Sequence, residues 1–176
     1  MAGTATPFTL VQLAINDLQA AQFLRAGMGD VDRQVLKLLD DAAELLLKAT
    51  LRSRGIDCER ASFPSLIRAC GPILRIPEEL EAMHMLRNRV KHIGESASPT
   101  EIAAAFEAVM TVLLGLAELA GVWYAYCIKC KSISPAVDPK PVNIKPLRRA
   151  VKGWCFRCNT PMYRILPPGQ LAPPRR

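Results

Sequence analysis

Two Cys-x-x-Cys pairs near the C-terminus constrain the fold of this chain more than any other feature. Cys127 and Cys130 form the first pair, Cys155 and Cys158 form the second, and 24 residues separate them. Each pair can make a tight turn that offers two sulfurs to one ion. Two such turns supply the tetrahedral four-thiolate shell that Zn²⁺ prefers at structural sites. The four cysteines therefore predict one structural zinc ion with no open coordination position.

Other roles for the cysteines fit the sequence less well. A redox-active pair usually lies in a βαβ pattern, and neither pair does. Disulfides belong to exported proteins, and the N-terminal segment MAGTATPFTL has no basic stretch before an apolar run, unlike a signal peptide. We therefore expect a reduced, cytoplasmic protein in which Cys58 and Cys70 are ordinary, partly buried thiols.

Charge divides the chain into two parts. Residues 1–121 contain 12 Lys or Arg and 15 Asp or Glu, whereas residues 122–176 contain 11 Lys or Arg and a single acid, Asp138. Four thiolates on one Zn²⁺ would remove about two positive charges from the second part, which would remain strongly basic. The expected partner is a polyanion, and nucleic acid in particular. A contribution to solubility alone is the alternative.

Aromatic residues are interleaved with these basic residues. Six of the ten Trp, Tyr and Phe residues of the chain lie between positions 123 and 163. Exposed rings and cations can together hold single strands, although rings also fill small cores. We expect Trp154 and Tyr126 to be mostly structural and Phe156, at the tip of a turn, to be exposed. The predicted nucleic-acid-binding residues are Lys129, Lys131, Arg148, Arg149, Lys152 and Arg157.

Helical periodicity dominates the first part of the chain. Apolar residues recur at three- and four-residue steps, and Gly, Pro, Ser and Asp mark the ends of the segments. The stretch from Ile102 to Val122 is interrupted by Glu107, Gly115 and Glu118, which favours an amphipathic core helix over a membrane span. The predicted helices cover about residues 8–24, 31–54, 63–70, 77–93 and 99–121.

The pattern changes at Trp123, where prolines, cysteines and short β-type runs replace the helical periodicity. Strands are predicted over residues 123–126, 142–145, 150–154 and 162–166. The chain is therefore predicted to be mainly α, with a bundle of four main helices and one short one, followed by a small β zinc ribbon. The predicted domains are a helical bundle at 1–121, the ribbon at 122–166 and a flexible basic tail at 167–176.

Three segments of the second part resemble a family of short, functionally uncharacterised zinc-ribbon domains. They are AYCIKC at 125–130, GWCFRC at 153–158 and MYRI at 162–165. The chain has Asn159 where that family usually places glycine, and asparagine tolerates the left-handed conformation that such a turn needs. The resemblance implies a zinc ribbon and no defined activity.

The predicted fourth helix carries both histidines of the chain on one polar face. At 100° per residue, His84, Asn88 and His92 form one stripe, and Arg87 and Lys91 form a second stripe beside it. Such a face can bind a phosphate and offer a group that titrates near neutral pH. The alternative is that the cations near the helix end only complement the helix dipole.

The order Arg87-Asn88-x-x-x-His92 resembles the Arg-x₄₋₆-His signature of HEPN domains, and the segments AINDLQAA at 14–21 and AELLLKA at 43–49 agree with that family. The resemblance covers roughly residues 8–120. It implies a helical bundle that acts as a metal-independent endoribonuclease. His92 would be the general acid or base for attack of the RNA 2′-hydroxyl on its own phosphate. Arg87 would stabilise the phosphorane, and Asn88 would orient His92 or a phosphate oxygen.

The same resemblance implies partners. Two protomers would join their signatures at the interface of a homodimer, and an antitoxin protein would restrain an enzyme that acts as a toxin or in phage defence. RNA is favoured over DNA because only RNA supplies the internal nucleophile, and no membrane contact is expected. His84 is not expected to be catalytic, and Glu44 with Lys48 is expected to form a surface ion pair rather than to support the site.

Two other functions remain open. A non-catalytic adaptor would use the bundle for dimerisation or partner binding and the ribbon for contact with nucleic acid or protein. A binder of nucleotides or other small molecules is the third hypothesis, but no phosphate-binding loop supports it.

Overall fold

Five helices followed by four strands make up the computed structural model, which describes residues 5–26, 32–116, 123–145 and 148–167. The chain divides into two compact units, residues 1–120 and residues 121–176. The prediction of a mainly helical part followed by a small β part is confirmed. The predicted tail beyond residue 167 and the predicted end of the fifth helix at 117–121 lie outside the described residues. The helices are α1 (Pro7–Ala26), α2 (Asp32–Arg52), α3 (Phe63–Cys70), α4 (Glu78–Ile93) and α5 (Pro99–Leu116).

Helix α2 is the centre of the helical unit, because it packs against each of the other four helices. Its buried stripe is formed by leucines and alanines spaced three and four residues apart, and one carboxylate, Asp40, interrupts it at 5% exposure. The core side chains with less than 2% exposure include Leu36, Leu39, Leu46, Leu47, Leu51, Leu66, Leu80 and Leu113. A charged group inside such a stripe needs partners, and α4 supplies them.

Helix α5 is the one helix in the described ranges that is long and apolar enough to cross a membrane, and half of it is buried within the structure. It packs against α2 and α4 with a face that includes Phe106, Val109 and Leu113. This packing agrees with the expected core helix. A capping box begins the helix: Glu101 accepts hydrogen bonds from the backbone N–H and the hydroxyl of Ser98, at 2.8 and 2.7 Å.

The second unit, called the ribbon below, is a curled antiparallel sheet in the order β1-β2-β3-β4, in which β1 also contacts β4. Residues 132–135 of β2 pair with β1, and residues 136–145 of the same strand pair with β3. The sheet core lies around the cysteines, with Ala125 and Met162 packed against Cys127 and Cys155. The strands are β1 (Tyr124–Cys127), β2 (Ser132–Lys145), β3 (Arg148–Cys155) and β4 (Pro161–Ile165).

Strand β2 is much longer than the sequence predicts, since only its last four residues were expected to be extended. The rest of the strand was not predicted because it contains three prolines, Pro135, Pro139 and Pro141. Proline cannot donate a hydrogen bond to a ladder and normally argues against a paired strand. The strand accommodates them partly through an irregularity between Val137 and Lys140. There Asp138 takes a left-handed φ of 49°, as residues in bulges often do.

Candidate functional sites

The four paired cysteines of the ribbon converge on one point. Their sulfurs all lie within 4.8 Å of one another, with 3.5 Å between Cys127 and Cys158 and 3.9 Å between Cys130 and Cys155. A tetrahedral ion with metal–sulfur bonds of about 2.3 Å places its sulfurs about 3.8 Å apart. The spacing and the donor atoms therefore fit one metal ion, and the prediction that these cysteines form one ligand cluster is confirmed.

Each Cys-x-x-Cys pair builds its turn in the same way. The first cysteine ends a strand and the second lies in the following turn, and Cys130 donates its backbone N–H to the sulfur of Cys127 at 3.4 Å. The residue after each pair is left-handed, with a φ of 51° at Lys131 and 54° at Asn159. This conformation was expected at Asn159. Lys131 has the left-handed conformation because its turn has the same geometry. The repeated Cys-x-x-Cys motif could have predicted this conformation.

A hydroxyl group lies beside each of two cluster sulfurs. The Oγ1 of Thr160 lies 3.2 Å from the sulfur of Cys158, and the Oγ of Ser134 lies 3.4 Å from the sulfur of Cys155. The contact with Thr160 lowers the pKa of Cys158 to about 6, whereas burial raises the pKa of Cys130 to about 12. A metal that needs four thiolates would therefore release protons on binding.

The six predicted nucleic-acid-binding residues do not form one cluster. Lys129 and Lys131 are exposed in the first cysteine turn, and Arg157 is half-buried in the second. Arg148 and Arg149 are exposed at the start of β3, six or more strand residues from Cys155, which corresponds to roughly 20 Å along the strand. The basic residues thus lie at both ends of β3, with Lys152 between them.

The exposure of three aromatic residues of the ribbon is the opposite of the prediction. Phe156 is buried at 6% exposure, whereas Trp154 is 38% exposed and Tyr126 is 58% exposed. Alternation along a strand explains the error. Trp154 and Tyr126 each precede a cysteine of the cluster. Because Cys155 and Cys127 point into the cluster, both rings point to the other side of the sheet.

In the helical unit, a polar network joins α2 to α4. It consists of Asp40, His84, Arg87 and Asn88, and is called the Asp40 network below. The Nδ1 of His84 lies 2.7 Å from one oxygen of Asp40, and the Nε of Arg87 lies 3.5 Å from the other. Arg87 also donates to the Oδ1 of Asn88 at 2.9 Å.

The amide of Asn88 completes the Asp40 network, because its Nδ2 lies 3.3 Å from the Nε2 of His84. In this set of contacts the Nδ1 of His84 faces the carboxylate of Asp40, and its Nε2 faces the amide of Asn88. Burial raises the pKa of Asp40, and the hydrogen bond from His84 and the charge of Arg87 act against that rise. The ring of His84 also stacks on Phe63, with 4.3 Å between centroids.

The three predicted catalytic residues lie on α4 in different surroundings. Arg87 and Asn88 are half-buried in the Asp40 network, while His92 is exposed one turn later. Within the part of the chain that the structure describes, no hydrogen bond joins Asn88 to His92; the amide faces His84 instead. Glu44 and Lys48 form the expected ion pair at 2.6 Å.

Sequence analysis alone missed Asp40, although a signal was present. Asp40 is four residues after Leu36 and three before Ala43, inside the apolar stripe of α2. A charge at such a position is rarely buried without a partner. The two residues available to it, His84 and Arg87, could have been sought on the polar side of the next long helix.

Comparisons with known proteins concern the ribbon. Residues 126–165 match a domain of unknown function (DUF5679). Epididymal sperm protein E of Sepia officinalis is 31% identical over 42 residues, which make up 24% of this chain and 82% of that protein. No solved structure matches the chain.

Proposed function

The chain belongs, through its ribbon, to the same family as epididymal sperm protein E of Sepia officinalis, and we propose that this ribbon is a zinc-dependent module that binds RNA. Zn²⁺ is the proposed metal because four thiolates at this spacing suit its preference for tetrahedral sulfur ligation. Filled by four cysteines, such a site would have a structural role. The ion would complete the fold of the ribbon and would supply no chemistry to a substrate.

The observation that carries RNA binding is the exposed, uncompensated charge of the ribbon. Lys129, Lys131, Arg148 and Arg149 are all exposed. The single acid of this part, Asp138, is already paired with Lys140 at 2.7 Å. Cations at both ends of β3 suit a partner that carries a phosphate at every repeat, which a nucleic acid does.

A salt titration tests this proposal. We expect the zinc-loaded protein to bind a fluorescent RNA with an affinity that falls as salt rises, because each phosphate contact releases counterions. The variant Lys129→Ala/Lys131→Ala should bind more weakly and show a shallower salt dependence. The matched control is Arg33→Ala, which removes a cation from the helical unit. Equal binding by all three proteins, or a salt-independent affinity, would contradict the proposal.

A second function, endoribonuclease activity of the helical unit, is favoured by the surroundings of His92. This imidazole is exposed and forms no hydrogen bond among the described residues, so it is free to exchange a proton with a substrate. One turn earlier, Asp40 and Asn88 hold the guanidinium of Arg87 at the protein surface, with 21% of the arginine side chain exposed. A cation and an exposed imidazole on the same helix are groups that can act on a phosphodiester.

In the proposed reaction His92 takes the proton of a ribose 2′-hydroxyl, whose oxygen then bonds to the adjacent phosphorus. The bond from phosphorus to the 5′-oxygen breaks, and that oxygen takes up a proton. The products are a 2′,3′-cyclic phosphate and a 5′-hydroxyl. Arg87 would stabilise the charge that develops on the phosphate oxygens, and Asn88 would hold Arg87 in place rather than orient His92.

The cleavage assay uses a labelled RNA of mixed sequence and the purified, zinc-loaded protein, with and without EDTA. We expect wild type to leave 2′,3′-cyclic phosphate ends, and His92→Ala to lose cleavage while remaining folded, because His92 is exposed. The control is Arg89→Ala on the same helix, which loses surface ion pairs with Glu95 and Glu101. If zinc-loaded wild type cleaves none of several RNAs, the bundle is better explained as a dimerisation or adaptor domain.

Of the remaining parts of the proposal, the homodimer and the antitoxin partner follow from the resemblance to HEPN domains, and the location follows from the reduced cysteines. We propose a homodimer through the helical unit, a cytoplasmic location, where thiolates stay reduced, and an antitoxin partner. Size-exclusion chromatography with light scattering tests the dimer. Slower growth on expression, relieved by His92→Ala, would support the toxin role.

A further inference from the structure

We propose that single-stranded nucleic acid binds one defined side of the ribbon, where bases stack on Trp154 and Tyr163 and a phosphate pairs with Lys152. These three residues are called the aromatic face below. The inference rests on the proposed function of the ribbon, and it adds the surface, the form of the nucleic acid and the mode of contact.

The register of the sheet brings the aromatic face together. Tyr163 on β4 is the cross-strand partner of Lys152 on β3, and Trp154 follows Lys152 by two residues. All three side chains therefore leave the sheet on the same side. The ammonium of Lys152 lies over both rings, 5.6 Å from the centre of Trp154 and 5.8 Å from that of Tyr163.

The aromatic face is not needed for the core of the ribbon. Trp154 is 38% exposed and Tyr163 is 51% exposed, whereas Cys155 and Met162, their neighbours along the chain, are buried on the metal side. Phe156, in contrast, is buried at 6% exposure. Two rings left exposed beside a cation form a surface suited to planar, anionic ligands.

Charge complementarity identifies the ligand. Lys140 on β2 is the cross-strand partner of Lys152, so two lysines face each other on this side of the sheet. Directly opposed like charges destabilise a sheet unless a counter-charge is present, and Asp138 pairs with Lys140 alone. A phosphate beside Lys152 would neutralise the remaining charge, and its flanking bases would lie next to the two rings.

A second cation and ring group lies at the edge of the sheet where β1 meets β4. Its cation, Arg164, follows Tyr163 along β4 and therefore leaves the sheet on the side opposite to the aromatic face. Arg164 on β4 lies 4.5 Å from the ring centre of Tyr124 and 5.7 Å from that of Trp123. β1 and β4 are in contact there. This group therefore lies outside the proposed binding surface.

Single strands are the expected form, because stacking on protein rings requires bases whose own faces are free. A duplex would offer its phosphates to Lys152 but would leave Trp154 and Tyr163 without a base to contact. The proposal therefore predicts a preference for single strands that disappears when the rings are removed.

The test measures fluorescence anisotropy of the full-length, zinc-loaded protein with a labelled single strand of about 12 nucleotides and with the corresponding duplex. We expect Trp154→Ala and Tyr163→Ala each to weaken single-strand binding about tenfold, and Trp154→Phe to retain most of it. The matched control is Phe23→Ala, which removes a ring that is 78% exposed in the helical unit. Zinc content establishes that the ribbon of each variant is folded, because near-UV circular dichroism changes when an aromatic ring is removed.

Intrinsic fluorescence gives an independent readout, since the chain has two tryptophans, Trp123 and Trp154. Binding should quench the fluorescence of Trp123→Phe, in which Trp154 is the remaining tryptophan. Unchanged affinity in the Trp154→Ala and Tyr163→Ala variants, with wild type binding normally, would overturn this inference and leave RNA binding by the ribbon intact. Equal affinity of wild type for duplex and single strand would also overturn this inference. The same holds if the Trp154→Ala and Tyr163→Ala variants change self-association instead of nucleic-acid binding. If wild type binds no nucleic acid at all, both this inference and the proposed RNA binding by the ribbon are overturned.

Discussion

At the scale of single residues, Asp40 shows how a buried charge in this protein depends on its partners. The carboxylate is 5% exposed and contacts two side chains of α4, His84 and Arg87. Removing a carboxylate from such a network leaves the opposing donors without an acceptor, and that cost exceeds the loss of the contact itself.

We expect Asp40→Ala to lower the free energy of unfolding by about 3 kcal/mol. Asp40→Asn should lose less, because an amide oxygen can still accept from His84. Urea denaturation of the full chain, followed by far-UV circular dichroism, measures the difference. The control is Asp41→Ala, the next residue, which loses an exposed ion pair with Lys37 and should cost under about 1 kcal/mol. Equal costs for both alanine variants would show that the network contributes nothing beyond a surface pair.

The cysteine ligands give the second prediction at this scale. Cys155→Ser should abolish stoichiometric zinc binding, because a hydroxyl is a poor substitute for a thiolate in a structural site. Cys70→Ser is the matched control: its thiol is also buried, but it lies 3.4 Å from the backbone oxygen of Leu47, away from the cluster. Metal analysis after dialysis should find one zinc ion per chain in wild type and in Cys70→Ser. Retention of zinc by Cys155→Ser would refute the four-cysteine site.

At the scale of elements, much of the structure could be predicted from local signals. Gly94 ends α4 in the left-handed conformation, with a φ of 73°, where glycine has no steric penalty, and the α5 capping box lies at Ser98 and Glu101. Strand β2 could not be predicted, since its pairing depends on two neighbouring strands and its prolines argue against it. The side of the sheet on which Trp154 lies could not be predicted either. It depends on the strand register, which is known only once the pairing of the strands is known.

The capping box of α5 predicts a pH dependence of stability. Hydrogen bonds from the backbone and hydroxyl of Ser98 lower the pKa of Glu101 in the folded state. The folded state is therefore stabilised above the unfolded pKa of about 4.3, and this contribution is lost as the pH falls through the lower folded-state pKa. We expect the stability difference between wild type and Glu101→Gln to shrink between about pH 5 and about pH 3.

Urea midpoints across that pH range measure the effect of Glu101. Ser98→Ala serves as the control, because in that background the hydroxyl half of the interaction is already absent and the effect of Glu101→Gln should be smaller. A difference that stays constant with pH, or that grows as the pH falls, would contradict a lowered pKa at Glu101.

At the scale of the whole molecule, sequence and structure agree on a division into two chemically different units. The helical unit has its own leucine-rich core around α2, and the ribbon has a separate buried cluster that contains Cys127 and Cys155. The change of charge at about residue 121, from a slight excess of acids to one acid among many cations, coincides with the boundary between the units. Composition could predict this division because the helical unit needs many apolar residues for its core, whereas the ribbon needs its four cysteines.

The two cores predict different responses to metal removal. A ribbon with so few buried side chains should owe much of its stability to the bound ion, whereas the helical core contains no candidate metal ligand cluster among its described residues. Treatment with a strong zinc chelator should therefore abolish RNA binding and the near-UV signal of the ribbon tryptophans while the helical far-UV signal and its thermal transition persist. Restoring zinc should return both lost signals. If the helices melt together with the ribbon, the two units fold as one and the zinc ion stabilises the entire protein.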